Sequence, residues 1–320
     1  MRTIVLFLDQ EHFPKQKLQR IKEIAPNMEL LITQDRDKVE SVLDKVEIIS
    51  GWFPFDLVLM AHNLRWVQQW GAGADWLLHY PEAVVMDFLL TNVSGIHATP
   101  ISEHILAFMF TFARGFHFAN TFQKNKDWKS PGWQEVFELA GKTLLLIGIG
   151  SIGARTAESA SSLGMRVLGI RRNPSLDSSG VEAMFGPDHL IDILPEADFV
   201  VITVPLTRET KEMIGERELK QMKQTAYLIN IGRGGTINEN ALINALKNGT
   251  IAGAGLDVFD DEPLPENSPL WAMENVVITA HYAGRTPHYD ERAISIFLGN
   301  LKRYISNEPL NNVVNKVLMY

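Results

Sequence analysis

Leu144-Leu145-Leu146-Ile147-Gly148-Ile149-Gly150-Ser151-Ile152-Gly153 decides how the rest of this 320-residue chain is read. Four consecutive aliphatic residues suit a strand buried on both faces, as in a parallel sheet. They run directly into G-x-G-x-x-G, and Ala154 to Leu163 beyond it has helical character. Strand, glycine turn and helix in that order form a seat for a dinucleotide pyrophosphate. The first glycine (Gly148) permits the tight turn, the second (Gly150) lets the backbone approach the pyrophosphate, and the third (Gly153) lets helix and strand pack closely. The helix N-terminus adds N–H donors and the positive end of its dipole. Without its strand and helix the same motif would be a plain glycine turn.

Outward from this stretch, the chain alternates short apolar runs with amphipathic segments. Strands are expected at Thr3–Leu8, Leu30–Thr33, Glu47–Ser50, Trp66–Trp70 and Val84–Met86, and again at Lys142–Gly148, Arg166–Ile170, Phe199–Val204, Ala226–Asn230, Gly253–Asp257 and Val276–Thr279. That rhythm is the signature of parallel α/β sheets. A long apolar segment, Ile101 to Phe118, reads as a buried helix connecting two domains, and a polar loop containing Trp128 follows at Gln123–Trp133. After Thr286 the period is helical again, with an irregular tail through Asn311 and Asn312 that is expected to return to the first domain. The division predicted is 1–98 with 288–320 as one domain and 99–287 as the other, with α/β fold throughout.

Composition narrows the classes. With 38 acidic and 30 basic side chains the formal charge is −8, which disfavours nucleic acid and anionic membranes as partners. There is no cysteine, so thiol nucleophiles, disulfides and thiolate metal sites are excluded, and a reducing, cytoplasmic compartment is expected. The apolar start through Leu8 is cut short by Asp9, Gln10, Glu11 and His12 and reads as a strand rather than a signal segment. No apolar run reaches the ~18 residues of a membrane span. The nine histidines include no HExxH and no metal-spaced cluster with carboxylates, so no metal is expected. Ile149 stands where a GxSxG nucleophile elbow would need its first glycine, which removes a serine hydrolase.

The strand after the glycine motif ends where an Asp or Glu about 20 residues on would bind the ribose 2′-hydroxyl of NAD. Here Arg171 and Arg172 stand there. A guanidinium cannot accept from hydroxyls but suits a 2′-phosphate, so NADP(H) is favoured over NAD(H). Three further segments put ionisable residues just past strand ends, where α/β sheets hold ligands: Asn230-Ile-Gly-Arg233-Gly-Gly235, Asp257-Val-Phe-Asp-Asp-Glu262-Pro and Thr279-Ala-His281-Tyr-Ala-Gly284. Singly, each has a bland reading as a surface cation, a solvated acid or a core histidine. As an ordered set they are not bland, for they are the residue types that chemistry at a carbonyl beside a carboxylate asks for. Arg233 can grip a carboxylate and polarise the adjacent carbonyl, His281 can donate the proton as hydride arrives, and Glu262 on the other ring nitrogen can fix the tautomer and favour the imidazolium.

With these motifs in place, the chain resembles the D-isomer-specific 2-hydroxyacid dehydrogenase family over most of its length. The stretches are GAGAD (71–75), TNVSGIHATPISEH (91–104), GIGSIG (148–153), VPLTRET (204–210), NIGRGG (230–235), GLDVFDDEP (255–263) and TAHYAGRT (279–286). The resemblance implies two Rossmann-like domains with doubly wound parallel sheets, the substrate domain flavodoxin-like, and an active site in the cleft between them. It makes Arg233, Glu262 and His281 the catalytic residues. It adds cofactor contacts at Ser151, Ile152, Val204, Pro205, Thr210, Ile231, Gly232, Asp257, Ala283 and Gly284, with Asp257 bonding the nicotinamide carboxamide. It also implies substrate contacts at Gly71, Ala72 and Gly73, whose backbone N–H groups would hold the carboxylate, while Trp52 could wall the pocket. Ala280 replaces the proline usual before the histidine, and Glu262 in place of glutamine speaks against formate. A homodimer is expected. The rivals are a binding protein that senses nucleotide redox state on the same fold and a phosphoglycerate-type dehydrogenase, which would need extra cations for phosphate.

Overall fold

The structure, a computed structural model, describes residues 2–9, 15–133 and 135–320; Met1 and the Gln10, Glu11 and His12 that end the first apolar run lie outside them. The chain forms two compact units, Met1–Ile96 with Thr286–Tyr320, and His97–Arg285. Each boundary falls two residues before the one predicted at 98 and 288. His97 travels with the helix Ala98–Ala113 that it precedes, and Thr286 accepts a hydrogen bond from His288 N at the start of the helix Tyr289–Ile305.

The first unit is a five-stranded sheet of β1 (Arg2–Phe7), β2 (Met28–Ile32), β3 (Val46–Gly51), β4 (Trp66–Gln69) and β5 (Leu89–Thr91), all parallel in the order β2-β1-β3-β4-β5. Alternate residues feed two cores. Val5, Ile49, Val67 and Leu90 face one side and Ile4, Leu6, Ile48 and Trp66 the other, as the two-residue period of a strand dictates. On that second side the helix Tyr289–Ile305 buries Ala293, Ile294, Phe297 and Leu301, with Phe297 stacked on Trp66. Full burial of such an aromatic contributes on the order of 2–3 kcal/mol. Buried polar groups are paired across the interface: Trp66 Nε1 donates to Thr91 Oγ1 at 2.7 Å, and Gln68 Oε1 accepts from Thr91 and from Asn300 Nδ2 at 3.1 Å.

The expected strand at Val84–Met86 is instead the end of a short helix, Glu82–Val85. Pro81 sits in helical conformation before it, only Ala83 of that turn is buried, and Val85 is 86% exposed, so these residues lack the two-sided burial of a central strand. The fifth strand is Leu89–Thr91. The segment past the last helix returns through an antiparallel bridge from Val313 to Thr91.

The second unit is a seven-stranded parallel sheet: β6 (Thr143–Ile147), β7 (Arg166–Ile170), β8 (Ala183–Phe185), β9 (Phe199–Ile202), β10 (Tyr227–Asn230), β11 (Gly253–Leu256) and β12 (Val276–Ile278), ordered β12-β11-β10-β9-β6-β7-β8. β8 had no counterpart among the strands expected. The order reverses between β6 and β9, and that reversal opens the ligand crevice of a doubly wound sheet. Ile105, Phe108, Met109 and Phe112 of the helix Ala98–Ala113 share one core with Ala157 and Ala160 of the helix Ser151–Ser162. The helix expected over 101–118 breaks at Gly115, whose left-handed φ of +67° starts a second helix, Phe116–Asn125, that also takes in the first residues of the expected loop.

Candidate active site

At the switch point the glycine motif behaves as its spacing requires. Gly148 has φ +105°, and a Cβ there would meet Thr203 Oγ1 at 2.8 Å and Val204 Cγ1 at 2.9 Å. A Cβ on Gly153 would lie 2.2 Å from Gly148 O, whereas Gly150 faces open space. Gly150 is also the N-cap of the helix Ser151–Ser162 and makes no side-chain cap bond, so a line of helix N–H donors points at a gap that only a glycine leaves clear. Ser151 is exposed and Ile152 half-buried at this first turn. The residues present fit a pyrophosphate.

Around it, Gly232 is pressed against Val204, its Cβ position 2.7 Å from Val204 O. Ile231 and Ala283 carry their side chains into the core, and their N–H groups are spent on Ile202 O and Asp257 Oδ2, which leaves their carbonyls for any ligand contact. Thr210, expected to touch cofactor, spends its hydroxyl locally, donating to Pro205 O at 2.6 Å and accepting from Thr207 N at 2.8 Å. Past β7, Arg171 is half-buried and Arg172 exposed. Arg172 Nη2 donates to Glu209, an acid in the loop after β9 that the sequence reading missed.

Arg233 follows β10. Buried Asn230 shapes its loop, accepting from Gly232 N at 3.0 Å and donating to Arg233 O at 2.9 Å, and the Thr236 hydroxyl reaches Arg233 O at 2.7 Å. A Cβ on Gly234 would overlap Phe259 C at 1.9 Å, so only glycine lets this loop lie against the one that carries Glu262. Glu262 in turn accepts from Phe259 N at 3.1 Å through Oε1, and its Oε2 lies 2.6 Å from His281 Nδ1. The structure thus joins Glu262 and His281 directly, with Nε2 of the ring left on the other side.

His281 itself adopts φ +49°, a left-handed conformation that costs a non-glycine residue on the order of 1 kcal/mol. Asp257, 2% exposed, holds it there. Its carbonyl accepts from His281 N at 2.9 Å, its Oδ1 from Tyr282 N at 3.0 Å and its Oδ2 from Ala283 N at 3.1 Å. Thr279 Oγ1 adds a fourth bond to Oδ1 at 2.6 Å. Asp257 therefore anchors the loop, a duty beyond the nicotinamide contact expected of it, with acceptor capacity remaining on Oδ2. Gly284 closes the loop against His97, to which a Cβ would come within 2.9 Å. Burial, then the nearby Arg233 charge, push the His97 pKa down to about 4. His97 lies in the stretch 91–104 that carries the resemblance, but no role of its own was legible there.

The substrate-side residues Trp52, Gly71, Ala72 and Gly73 belong to the first unit. There Trp52 follows β3 at the β1/β3 switch point, is 57% exposed and lies 3.8 Å from the Cβ position of Gly71. The carbonyls of the 71–73 loop are tied from behind: Gln69 Nε2 donates to Gly71 O and Gly73 O at 3.0 and 2.6 Å, and Asn92 Nδ2 to Ala72 O at 2.8 Å. Neither amide was anticipated.

A doubly wound sheet with a pyrophosphate seat at its switch point and a joined Glu–His pair past its strand ends defines a nicotinamide-dependent oxidoreductase. The chain belongs to the D-isomer specific 2-hydroxyacid dehydrogenase family, whose NAD binding domain model matches residues 106–283. It is 34% identical to a glyoxylate reductase of Korarchaeum cryptofilum over 314 residues, covering 96% of this chain and 91% of that one. Among solved structures, a D-isomer specific 2-hydroxyacid dehydrogenase family protein of Aeromonas salmonicida superposes with a TM-score of 0.84 at 31% identity, covering 98% of this chain and 99% of the other. An NADPH-dependent glyoxylate/hydroxypyruvate reductase of Sinorhizobium meliloti, solved with NADP and sulfate, gives 0.84 at 27% identity and covers both chains fully. Among the described residues no helix is long and apolar enough to cross a membrane, and no group of three or more acidic or histidine side chains could hold a metal ion.

Proposed function

We propose that this 2-hydroxyacid dehydrogenase works as a cytoplasmic reductase of small 2-oxo acids, glyoxylate or hydroxypyruvate foremost, drawing on NADPH in preference to NADH and yielding a D-2-hydroxy acid where C2 is chiral. The carrying observation is the 2.6 Å bond between His281 Nδ1 and Glu262 Oε2. With Nδ1 committed to a carboxylate, Nε2 is the nitrogen free to deliver a proton, and the carboxylate stabilises the charged ring that delivers it. Arg233 binds the substrate carboxylate and polarises the keto oxygen through its fork, and the backbone of Gly71, Ala72 and Gly73 in the first unit offers N–H donors suited to a carboxylate. Reduced nicotinamide, when bound, supplies the hydride to the carbonyl carbon; His281 then protonates the oxygen, and Asp257 keeps its loop in register.

The cofactor preference rests on Arg171 and Arg172 with no acid following β7 in the usual place. The Arg172–Glu209 pair does not oppose it. Both side chains are largely exposed, and such pairs are worth about 0–1 kcal/mol, so a doubly charged 2′-phosphate displaces Glu209 readily. The relatives support the substrate class, since the K. cryptofilum protein is a glyoxylate reductase and the S. meliloti protein a glyoxylate/hydroxypyruvate reductase.

A panel of 2-oxo acids assayed with NADPH and with NADH tests this. Glyoxylate or hydroxypyruvate should lead, with NADPH ahead in kcat/KM by about 10-fold. Replacing both arginines by alanine should erase that lead, and His281→Ala should lower kcat by about 10²–10⁴-fold with NADPH affinity kept. A His281→Ala enzyme with normal turnover, or a parent that prefers NADH, would overturn the corresponding assignment.

A further inference from the structure

Behind the loop that carries His281 sits a second histidine, His104, on the helix Ala98–Ala113. Its Nε2 lies 3.0 Å from Thr279 Oγ1, 175 residues away in sequence. The direction of that bond follows from the next one. Thr279 gives its single hydroxyl proton to Asp257 Oδ1 at 2.6 Å, because an ionised carboxylate only accepts. The Thr279 oxygen must then accept, so His104 carries its proton on Nε2. Burial pushes the His104 pKa down, against the opposing pull of Asp257, which suits a neutral ring in this donor role. The same ring stands edge-on to Tyr282, centroids 5.5 Å apart at 90°, and to Phe108 at 4.8 Å and 88°. His104 therefore touches the residue two before His281 and the residue immediately after it.

We propose that His104 and Thr279 are positioning residues for the proton transfer at His281. Together with Asp257 they clamp both flanks of a left-handed residue whose backbone would otherwise relax. The chain His104 Nε2–H to Thr279 Oγ1–H to Asp257 Oδ1 orients that carboxylate, which in turn receives the N–H groups of Tyr282 and Ala283. Released from this clamp, the His281 ring drifts from Glu262 Oε2 and from the keto oxygen. Displacement of that kind, of about 1 Å, lowers the rate of the chemical step by up to about 100-fold. Neither His104 nor Thr279 is assigned a contact to cofactor or substrate, and Asp257 Oδ2 keeps its bond from Ala283 N, so NADPH affinity should change far less than kcat.

This inference rests on His281 being the proton donor, and the experiment separates the two. Thr279→Val removes the hydroxyl at constant shape, His104→Phe keeps the aromatic packing without the donor, and Thr279→Ser restores the hydroxyl. Glyoxylate reduction by NADPH should show kcat lowered about 10-fold in the first two and within about twofold of the parent in the serine variant. The NADPH Kd, read by fluorescence titration, should move far less than kcat in each of them. Parent-like kcat in both Thr279→Val and His104→Phe, in an enzyme that His281→Ala inactivates, would overturn the proposal and leave the His281 assignment standing. Equal loss in the serine variant, or NADPH binding weakened as much as kcat falls, would show mere packing and overturn it too. Should Thr279→Val fail to fold, the His104→Phe and Thr279→Ser pair still decides. Normal turnover in His281→Ala would instead sink the reading on which the proposal stands.

Discussion

Burial of His97, with the Arg233 guanidinium nearby, holds its ring neutral down to about pH 4, against an ordinary value of 6.5. Above pH 6.5 the ring is neutral in folded and unfolded chains alike and contributes nothing to the pH dependence. As pH falls below 6.5 the unfolded chain takes up a proton that the folded chain refuses, so stability is lost progressively between 6.5 and 4. At pH 4.5 the loss from this one residue is about 2–3 kcal/mol. His97→Gln should therefore gain about that much on the parent between pH 7 and pH 4.5 in denaturant midpoints; a constant difference would show that the ring is not held neutral. The candidate trio Arg233, Glu262 and His281 is legible in the sequence because each member follows a strand end inside its own motif. His97, His104, Gln69 and Asn92 are not legible. Their roles come from partners brought close only by folding, Gly284 for His97 and Thr279 for His104, and a lone histidine or amide carries no local mark of such a partner.

Among elements, the β6–glycine turn–helix unit is held together by a contact that leaves no slack. Gly153→Ala would place a methyl 2.2 Å from Gly148 O, so the helix must move off the strand. Overpacking of this kind costs about 1–3 kcal/mol, and the displaced helix N-terminus no longer faces the pyrophosphate. Thermal melts and NADPH titration should show both losses together; a variant that loses stability but binds NADPH normally would show that the helix end is not part of the cofactor seat. The strands of this unit are readable from their aliphatic runs, because burial on both faces leaves an unbroken signature. Val84–Met86 carries a similar run yet its first two residues end a helix and one flank lies in solvent, since three residues are too few to display a period. The break at Gly115 escapes for a different reason. The apolar sequence continues straight through it, and only the left-handed backbone, with Pro131 Cγ 2.8 Å from where a Cβ would sit, ends the helix.

At the scale of the whole molecule, the helix Phe116–Asn125 buries none of its residues, Phe116 is 60% exposed, and Trp128 and Trp133 beyond it are almost fully so. Large aromatic side chains so fully exposed, following a helix with no buried residue, are what a protein interface leaves uncovered in a single chain. Burial against a second copy would cover it, and the protein should sediment as a dimer at micromolar concentration, with Trp128→Ser plus Trp133→Ser shifting it toward monomer; a parent that is monomeric at that concentration would refute the assignment. The discontinuous unit, residues 2–9 and 15–96 joined by 286–320, has a consequence for synthesis. Its sheet cannot bury Trp66 until Phe297 and Leu301 arrive, whereas residues 97–285 emerge from the ribosome as one uninterrupted stretch. Vectorial translation should therefore reverse the usual order of folding: the unit made second is expected to mature first, and the one begun first to wait, half-assembled, for the helix that completes it.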